Sequence, residues 1–451
     1  MVGHMSGGLL SPTIAEPSVG ARPFSGRAVA VVLFALVVVV LPLTTTTIAV
    51  ARNDQLSVYD EFAHIDYLRR VEQGEVPRIG QKILPETARD VACRTISGRQ
   101  VGDCSAEVIP PEVIDAGGYS YEAQQPPLYY VFTAIIRQPF TLVVNDFVNA
   151  ARLTGMVWLS AGLAVLWYFL RRCRGADVVP TAIICALAAL APPVVSQAST
   201  VTNDAAAILI GSLVLVGWHR LRREQSLRTL VLLSIGAVVL VLIKPLAVLP
   251  IGAVTLGLLI DGWTDARTML ARLRFAVPAI VAGVTYQGWQ VVRDARAVVP
   301  YSEVVEALLA ARAILPEFPY HALGVYSSKL LTAYENGGPN YVAGVAASVG
   351  LLCVYTPAIA TAVGHGKRDL QALQIGAVSV AVVAPMLLLA QSYFQVHRGG
   401  GASGRYALAL IPIFLVAFAP WLEARGVRRL AVAATGILLY VTMLDLLTRD
   451  F

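Results

Sequence analysis

The chain has 451 residues, of which 56% are hydrophobic and 14% charged, with a formal net charge of +6. Soluble domains carry about 25% charged residues, and a run such as AVAVVLFALVVVVLPL is long enough to cross a hydrocarbon core of about 30 Å. Composition therefore excludes a soluble globular protein and points to an all-α polytopic membrane protein. Among the basic residues only Lys82, Lys244, Lys329 and Lys367 are lysines, and no basic run is interleaved with exposed aromatics, which argues against a nucleic-acid partner.

Taken in chain order, residues 1–27 scatter Gly, Pro and Ser and read as a disordered cytoplasmic tail, ahead of one transmembrane domain over 28–451. The apolar run 29–50 lacks a small-residue cleavage site and reads as a retained first span. A long loop, 51–149, follows and opens with VYDEFAHIDYLRR. Here Asp60 and Glu61 begin an amphipathic helix with Phe62, Ile65 and Leu68 on its apolar face. An acidic helix N-terminus is favourable for dipole reasons alone. A carboxylate at the membrane boundary is equally well placed as a general base towards a hydroxyl. His64, one turn on, can orient that carboxylate or bind a phosphate, and Asp66 reads as a solvated helix residue. Cys93 and Cys104 share the loop and are a disulfide candidate if it is extracytoplasmic; Cys173, Cys185 and Cys353 read as inert core residues. No HxxxH or carboxylate triad completes a metal site.

Further spans are expected at 150–170, 178–196, 204–219, 227–243, 246–261, 275–292, 341–363, 370–391, 405–422 and 427–447. The run 126–144 is ambiguous, being long enough to cross but interrupted by Arg137 and Pro139. The positive-inside rule arbitrates. If 126–144 does not cross, the clusters at 171–174, 219–224, 266–274, 366–368 and 423–429 all fall on the side of the N-terminus. The run is then an interfacial helix, about eleven spans remain, and the N-terminus is cytoplasmic in a plasma (inner) membrane. Loops 51–149 and 293–340 are then extracytoplasmic, as are Asp204, Lys244 and the segment 392–406.

Each outward polar residue has a plain reading beside a functional one. An N-cap explains Asn203 and Asp204 in VTNDAAAIL. Lys244 interrupts VVLVLIKPLAVL, where snorkelling to headgroup level and binding of an anionic lipid phosphate both fit. HRGGGASGRY supplies His397, Arg398, Arg405 and Tyr406 amid glycines, a phosphate-friendly loop or merely a flexible one that anchors in headgroups. The Tyr-rich loop 293–340, with His321, Lys329 and Glu335, fits an aromatic belt or a groove for a sugar or lipid chain.

The order of these features is informative. One span leads to an acidic pair in a long outer loop, then QPPLYY, an N-x-x-R at Asn149 and Arg152, an outer Asp204 and a late GRY before a span. This resembles the GT-C superfamily of integral-membrane glycosyltransferases, and in detail the bacterial DUF2142-type membrane proteins. It is similar, more distantly, to the protein mannosyltransferase and aminoarabinose transferase branch. The resemblance implies a GT-C-like fold with juxtamembrane helices in the first outer loop. It also implies an inverting transfer of a sugar from a polyprenyl-phosphate donor to a glycan, lipid or protein acceptor of the cell envelope. Asp60 would be the catalytic base with Glu61 adjacent, and His64, Asp204, Lys244, His397, Arg398, Arg405 and Tyr406 would surround the donor phosphate. No cofactor is assigned, since dependence on a divalent cation differs among branches. The rival readings are a transporter or flippase of a lipid-linked sugar, which would favour internal repeats and broken midplane helices, and a non-catalytic envelope-assembly protein.

Overall fold

The computed structural model describes residues 25–57, 60–96, 98–224, 226–262, 273–308, 356–364, 367–396, 404–423, 434 and 436. Among the described residues there is no strand, only isolated bridges such as Leu56–Ile96 and Lys82–Tyr119. The expected spans 341–363 and 427–447, most of the tail 1–27 and of the loop 293–340, and the basic clusters at 266–274 and 423–429 lie largely outside the described residues.

Helix α1 (Arg27–Arg52) is apolar all round and exposes Val31, Val32, Val39 and Leu43, as a lipid-facing span requires. It loosens into one wide turn over Leu36–Val40, just before Pro42. Proline cannot continue the regular ladder, and a wide turn absorbs the mismatch. The first loop then forms α2 (Glu61–Glu72), α3 (Pro85–Arg94) and α4 (Leu128–Arg137). A disulfide joins Cys93, on α3, to Cys104. Helix α4 runs on into a 3-10 turn over Gln138–Leu142, and at about 1.5 and 2.0 Å per residue the two together span roughly 25 Å, short of a hydrocarbon core of about 30 Å. Its buried face carries Tyr129, Tyr130, Thr133 and Arg137, and Val131, Phe132 and Ile135 are exposed. Arg137 tolerates burial because it pairs through Nε and Nη2 with Glu72.

Asp66 corrects the sequence reading. It is fully buried rather than solvated, because Arg70 one turn on donates to Oδ2 at 3.0 Å and the Leu84 N–H to Oδ1 at 2.6 Å.

The bundle continues with α5 (Phe147–Cys173), α6 (Val178–Leu190), α7 (Pro192–Ala198), α8 (Asn203–Arg223), α9 (Leu227–Ile243) and α10 (Val248–Gly262). The expected single span 178–196 is broken at Ala191, which is extended ahead of Pro192 and Pro193. Helices α11 (Val277–Ala295), α12 (Tyr301–Leu308), α13 (Arg368–Val396) and α14 (Arg405–Glu423) complete it. Among the described residues five helical stretches are long and apolar enough to cross a membrane: α1, α5, α8, the part Arg368–Leu388 of α13, and α14. Small residues let the helices close up. A Cβ on Gly376 would overlap the carbonyl oxygen of Ala253 on α10.

One end of the bundle is a charge lattice. Arg174 and Arg222 each meet Asp369 at 2.8 Å, and Asp261 lies 3.2 Å from Arg222 and 3.8 Å from Arg368. Asp204 sits at the opposite end of the same helix α8 that carries Arg222.

Candidate functional site

Asp60 opens α2 in the left-handed region, with φ 64°, a conformation that costs a non-glycine residue about 1–2 kcal/mol and that Asp tolerates better than most. Its side chain does not cap the helix. Instead Oδ1 accepts from the Tyr121 hydroxyl at 2.7 Å and Oδ2 pairs with Nη2 of Arg405, at the start of α14. The Asp60 side chain stays 25% exposed.

From Arg405 the cluster runs inward. Its Nε lies 3.7 Å from Oδ2 of Asp204, and Asp204 Oδ1 pairs with the Lys244 ammonium. Lys244 also donates to Asn203 Oδ1 at 3.2 Å, and Asn203 Nδ2 donates to Gln125 Oε1 at 3.1 Å, tying the bundle to the first loop. Asp60, Arg405, Asp204 and Lys244 thus form a line of alternating charge contributed by four separate segments. Close packing allows it: a Cβ on Gly211 of α8 would overlap the carbonyl oxygen of Ala409, four residues after Arg405.

Two expectations change here. Lys244 does not snorkel; it is 3% exposed, in the break between α9 and α10 where Pro245 starts a tight turn. Nor does Asp204 cap α8, because the Thr202 hydroxyl accepts the Asp204 N–H at 3.2 Å.

Glu61 has a different setting from its neighbour. It is fully buried and accepts four hydrogen bonds: Arg152 Nε and the Val201 N–H at Oε1, Arg152 Nη2 and the Ser57 N–H at Oε2. Arg152 also donates through Nη1 to the Asn53 carbonyl and through Nη2 to the Gln55 carbonyl. Burial alone would raise the Glu61 carboxyl, but the Arg152 charge and these hydrogen bonds hold it below its ordinary range.

His64 meets Tyr130 and Glu122, not Asp60. Its Nδ1 is 2.7 Å from the Tyr130 hydroxyl and its Nε2 is 3.8 Å from Glu122 Oε2. Burial, then the charges of Arg405 and Lys244, push His64 well below its usual value, so the ring is neutral near pH 7. Burial and the Asp60 charge push the Glu122 carboxyl up to about 8, so it holds its proton at neutral pH. Tyr406 is half-buried, its ring 5.8 Å from the Arg405 guanidinium. His397 and Arg398 lie outside the described residues, as do His321, Lys329 and Glu335. Among the described residues no three His, Cys, Asp or Glu side chains converge as a metal-binding group.

Sequence reasoning missed Tyr121, Glu122 and Gln125. Their signal was SYEAQ running directly into QPPLYY: a carboxylate and amides set among aromatics beside a half-buried helix.

No family model and no curated protein sequence matches the chain. Among solved structures, that of ArnT from Cupriavidus metallidurans bound to undecaprenyl phosphate is similar over 92% of this chain and 76% of its own, at 14% identity and a TM-score of 0.47. The arabinosyltransferase EmbB from Mycobacterium smegmatis is similar over 96% of this chain and 42% of its own, at 13% identity and a TM-score of 0.33. At these scores the likenesses by themselves assign neither fold nor activity.

Proposed function

We propose that the chain is a GT-C-type inverting glycosyltransferase of the plasma membrane. It moves a sugar from a polyprenyl-phosphate donor to a hydroxyl of a cell-envelope glycan, lipid or protein on the extracytoplasmic face. The observation that carries this reading is a partly exposed carboxylate, Asp60, bonded to Arg405 at the end of an apolar bundle and backed by Asp204 and Lys244. A base and an anion-binding cation side by side at the edge of apolar helices suit a reaction whose leaving group is a lipid phosphate.

Asp60 takes the proton of the acceptor hydroxyl as its oxygen attacks the anomeric carbon. The carbon–oxygen bond to the polyprenyl phosphate breaks, and its electron pair leaves on the phosphate. One displacement inverts the anomeric configuration. Arg405 offsets the phosphate charge, and Asp204 and Lys244 fix the guanidinium from behind. Glu61 serves as a positioning residue that clamps the start of α2 through Arg152. Lys244 is a buried counter-ion in this scheme rather than a direct phosphate ligand.

The test is transfer from a polyprenyl-phosphate sugar in proteoliposomes. Asp60→Asn should lower the rate by roughly 10²–10⁴-fold while lowering the unfolding temperature by no more than a few degrees. Full transfer by Asp60→Asn would sink the base assignment, and donor that crosses the bilayer unconsumed would favour a transporter.

A further inference from the structure

Both carboxylate oxygens of Asp60 are already bonded, Oδ1 to Tyr121 and Oδ2 to Arg405. Neither oxygen is left without a donor, so an Asp60 held in this way is at rest. Among the described residues Arg405 pairs with both Asp60 and Asp204, but the two carboxylates are not equally dependent on it. Asp204 keeps Lys244 and the Thr202 hydroxyl whatever Arg405 does. Exposure ranks the neighbouring cations. The side chain of Arg152 is 0% exposed, that of Lys244 4% and that of Arg405 12%. An anion arriving beside Asp60 therefore meets Arg405 first, and a guanidinium offers phosphate two parallel donors.

We infer that Arg405 is an exchangeable clasp, released from Asp60 when the phosphate of a polyprenyl lipid takes over its guanidinium. The exchange frees Oδ2 of Asp60 in the presence of the donor. This rests on the transferase reading for the use made of the freed oxygen, though not for the exchange itself. It orders the reaction: lipid phosphate binds first and the acceptor hydroxyl second. After transfer the phosphate has gained the electron pair of the broken bond and holds Arg405 until the lipid departs. Asp60 passes the acceptor's proton to water, and Arg405 then returns to its carboxylate. A donor-free enzyme in this state has a masked base.

The clasp has an unusual consequence, because Asp60 and the phosphate compete for one cation. Neutralising a carboxylate in the site should strengthen lipid binding. The experiment measures the dissociation constant of decaprenyl phosphate for the full-length protein in nanodiscs. Asp60→Asn should bind about tenfold more tightly than wild type, Arg405→Gln at least about tenfold more weakly, and the double variant should show no gain over Arg405→Gln. Asp60→Ala, which removes the acceptor oxygens as well as the charge, repeats the test if the Asn variant does not purify as a monodisperse species. Unchanged or weaker lipid affinity in a folded Asp60 variant would overturn the clasp. Inorganic phosphate separates the sources of the anion: displacement of the lipid only at large excess supports a lipid headgroup, and displacement at equal concentration overturns it. Tighter lipid binding by Asp60→Asn together with full sugar transfer would retain the clasp and reject the base, so the two failures are distinguishable.

Discussion

Asp60 and Glu61 are neighbours in sequence, and each meets an arginine from far along the chain, yet the two pairs belong to different kinds of region. Glu61 reaches Arg152, 91 residues away, in a pair whose side chains are both 0% exposed and whose hydrogen bonds all end on protein groups. Asp60 reaches Arg405, 345 residues away, in a pair that keeps 25% and 12% of its side-chain surface open. The first pair joins the end of α1, the start of α2, helix α5 and the segment before α8. The second lies at the rim of a charge line whose other members are secured without it. The same two functional groups thus make a fastener where every guanidinium nitrogen is bonded to protein, and an exchangeable contact where one partner can be replaced from outside.

The comparison breaks most easily at the buried pair. Arg152→Met leaves the Glu61 carboxylate enclosed without its cation and should cost about 3–5 kcal/mol, whereas Asp60→Asn should cost under about 1 kcal/mol. Chemical denaturation in detergent measures both, and equal losses would erase the distinction. A smaller effect is expected at the inner end of the charge line. Lys244→Met takes from Asp204 the cation at its Oδ1, leaving it Arg405 and the Thr202 hydroxyl, and should cost about 2–4 kcal/mol, and adding Asp204→Asn should recover more than half of the loss. An additive double variant would mean that the two groups do not depend on each other.

The smallest effect is a pH slope. Glu122 has an ordinary value of 4.5 and is held at about 8 in the fold, so its contribution to stability is complete below pH 4.5 and is lost as pH rises to about 8. His64 acts in the opposite sense, since its depressed value matters only below 6.5. Between pH 6.5 and about 8 the Glu122 slope stands apart from that of His64, and the unfolding temperature should fall across that window. Glu122→Gln should flatten the fall, and an unchanged slope would show that Glu122 does not titrate there.

Asp60, Asp204, Lys244 and Arg405 were all legible from sequence as ionisable residues bordering apolar runs, where solvation makes any charge conspicuous. How they pair was not. The Asp204–Lys244 contact depends on where two helix ends meet in space, and neither a cap nor a snorkelling lysine describes it. Asp66 looked solvated because its partner on the Leu84 N–H comes from a loop with no periodicity to announce it. The fate of Glu61 hinged on Arg152, noted in sequence only as part of a spacing. The broken span at Ala191 was readable in its two prolines but was masked by continuous hydropathy. Helix α4 was set apart from the expected spans by Arg137 and Pro139 within its run and by the charge balance of loops elsewhere.

Helix α8 carries a consequence for the setting of the site. It has 21 residues, a length of roughly 31 Å at 1.5 Å per residue, which matches a hydrocarbon thickness of about 30 Å. Arg220, Arg222 and Arg223 close one end and Asp204 opens the other. The helix therefore works as a depth gauge, holding the Asp204 end one membrane thickness from its arginine anchor. Lengthening it by a turn would move the Asp204 end about 5 Å further from that arginine end.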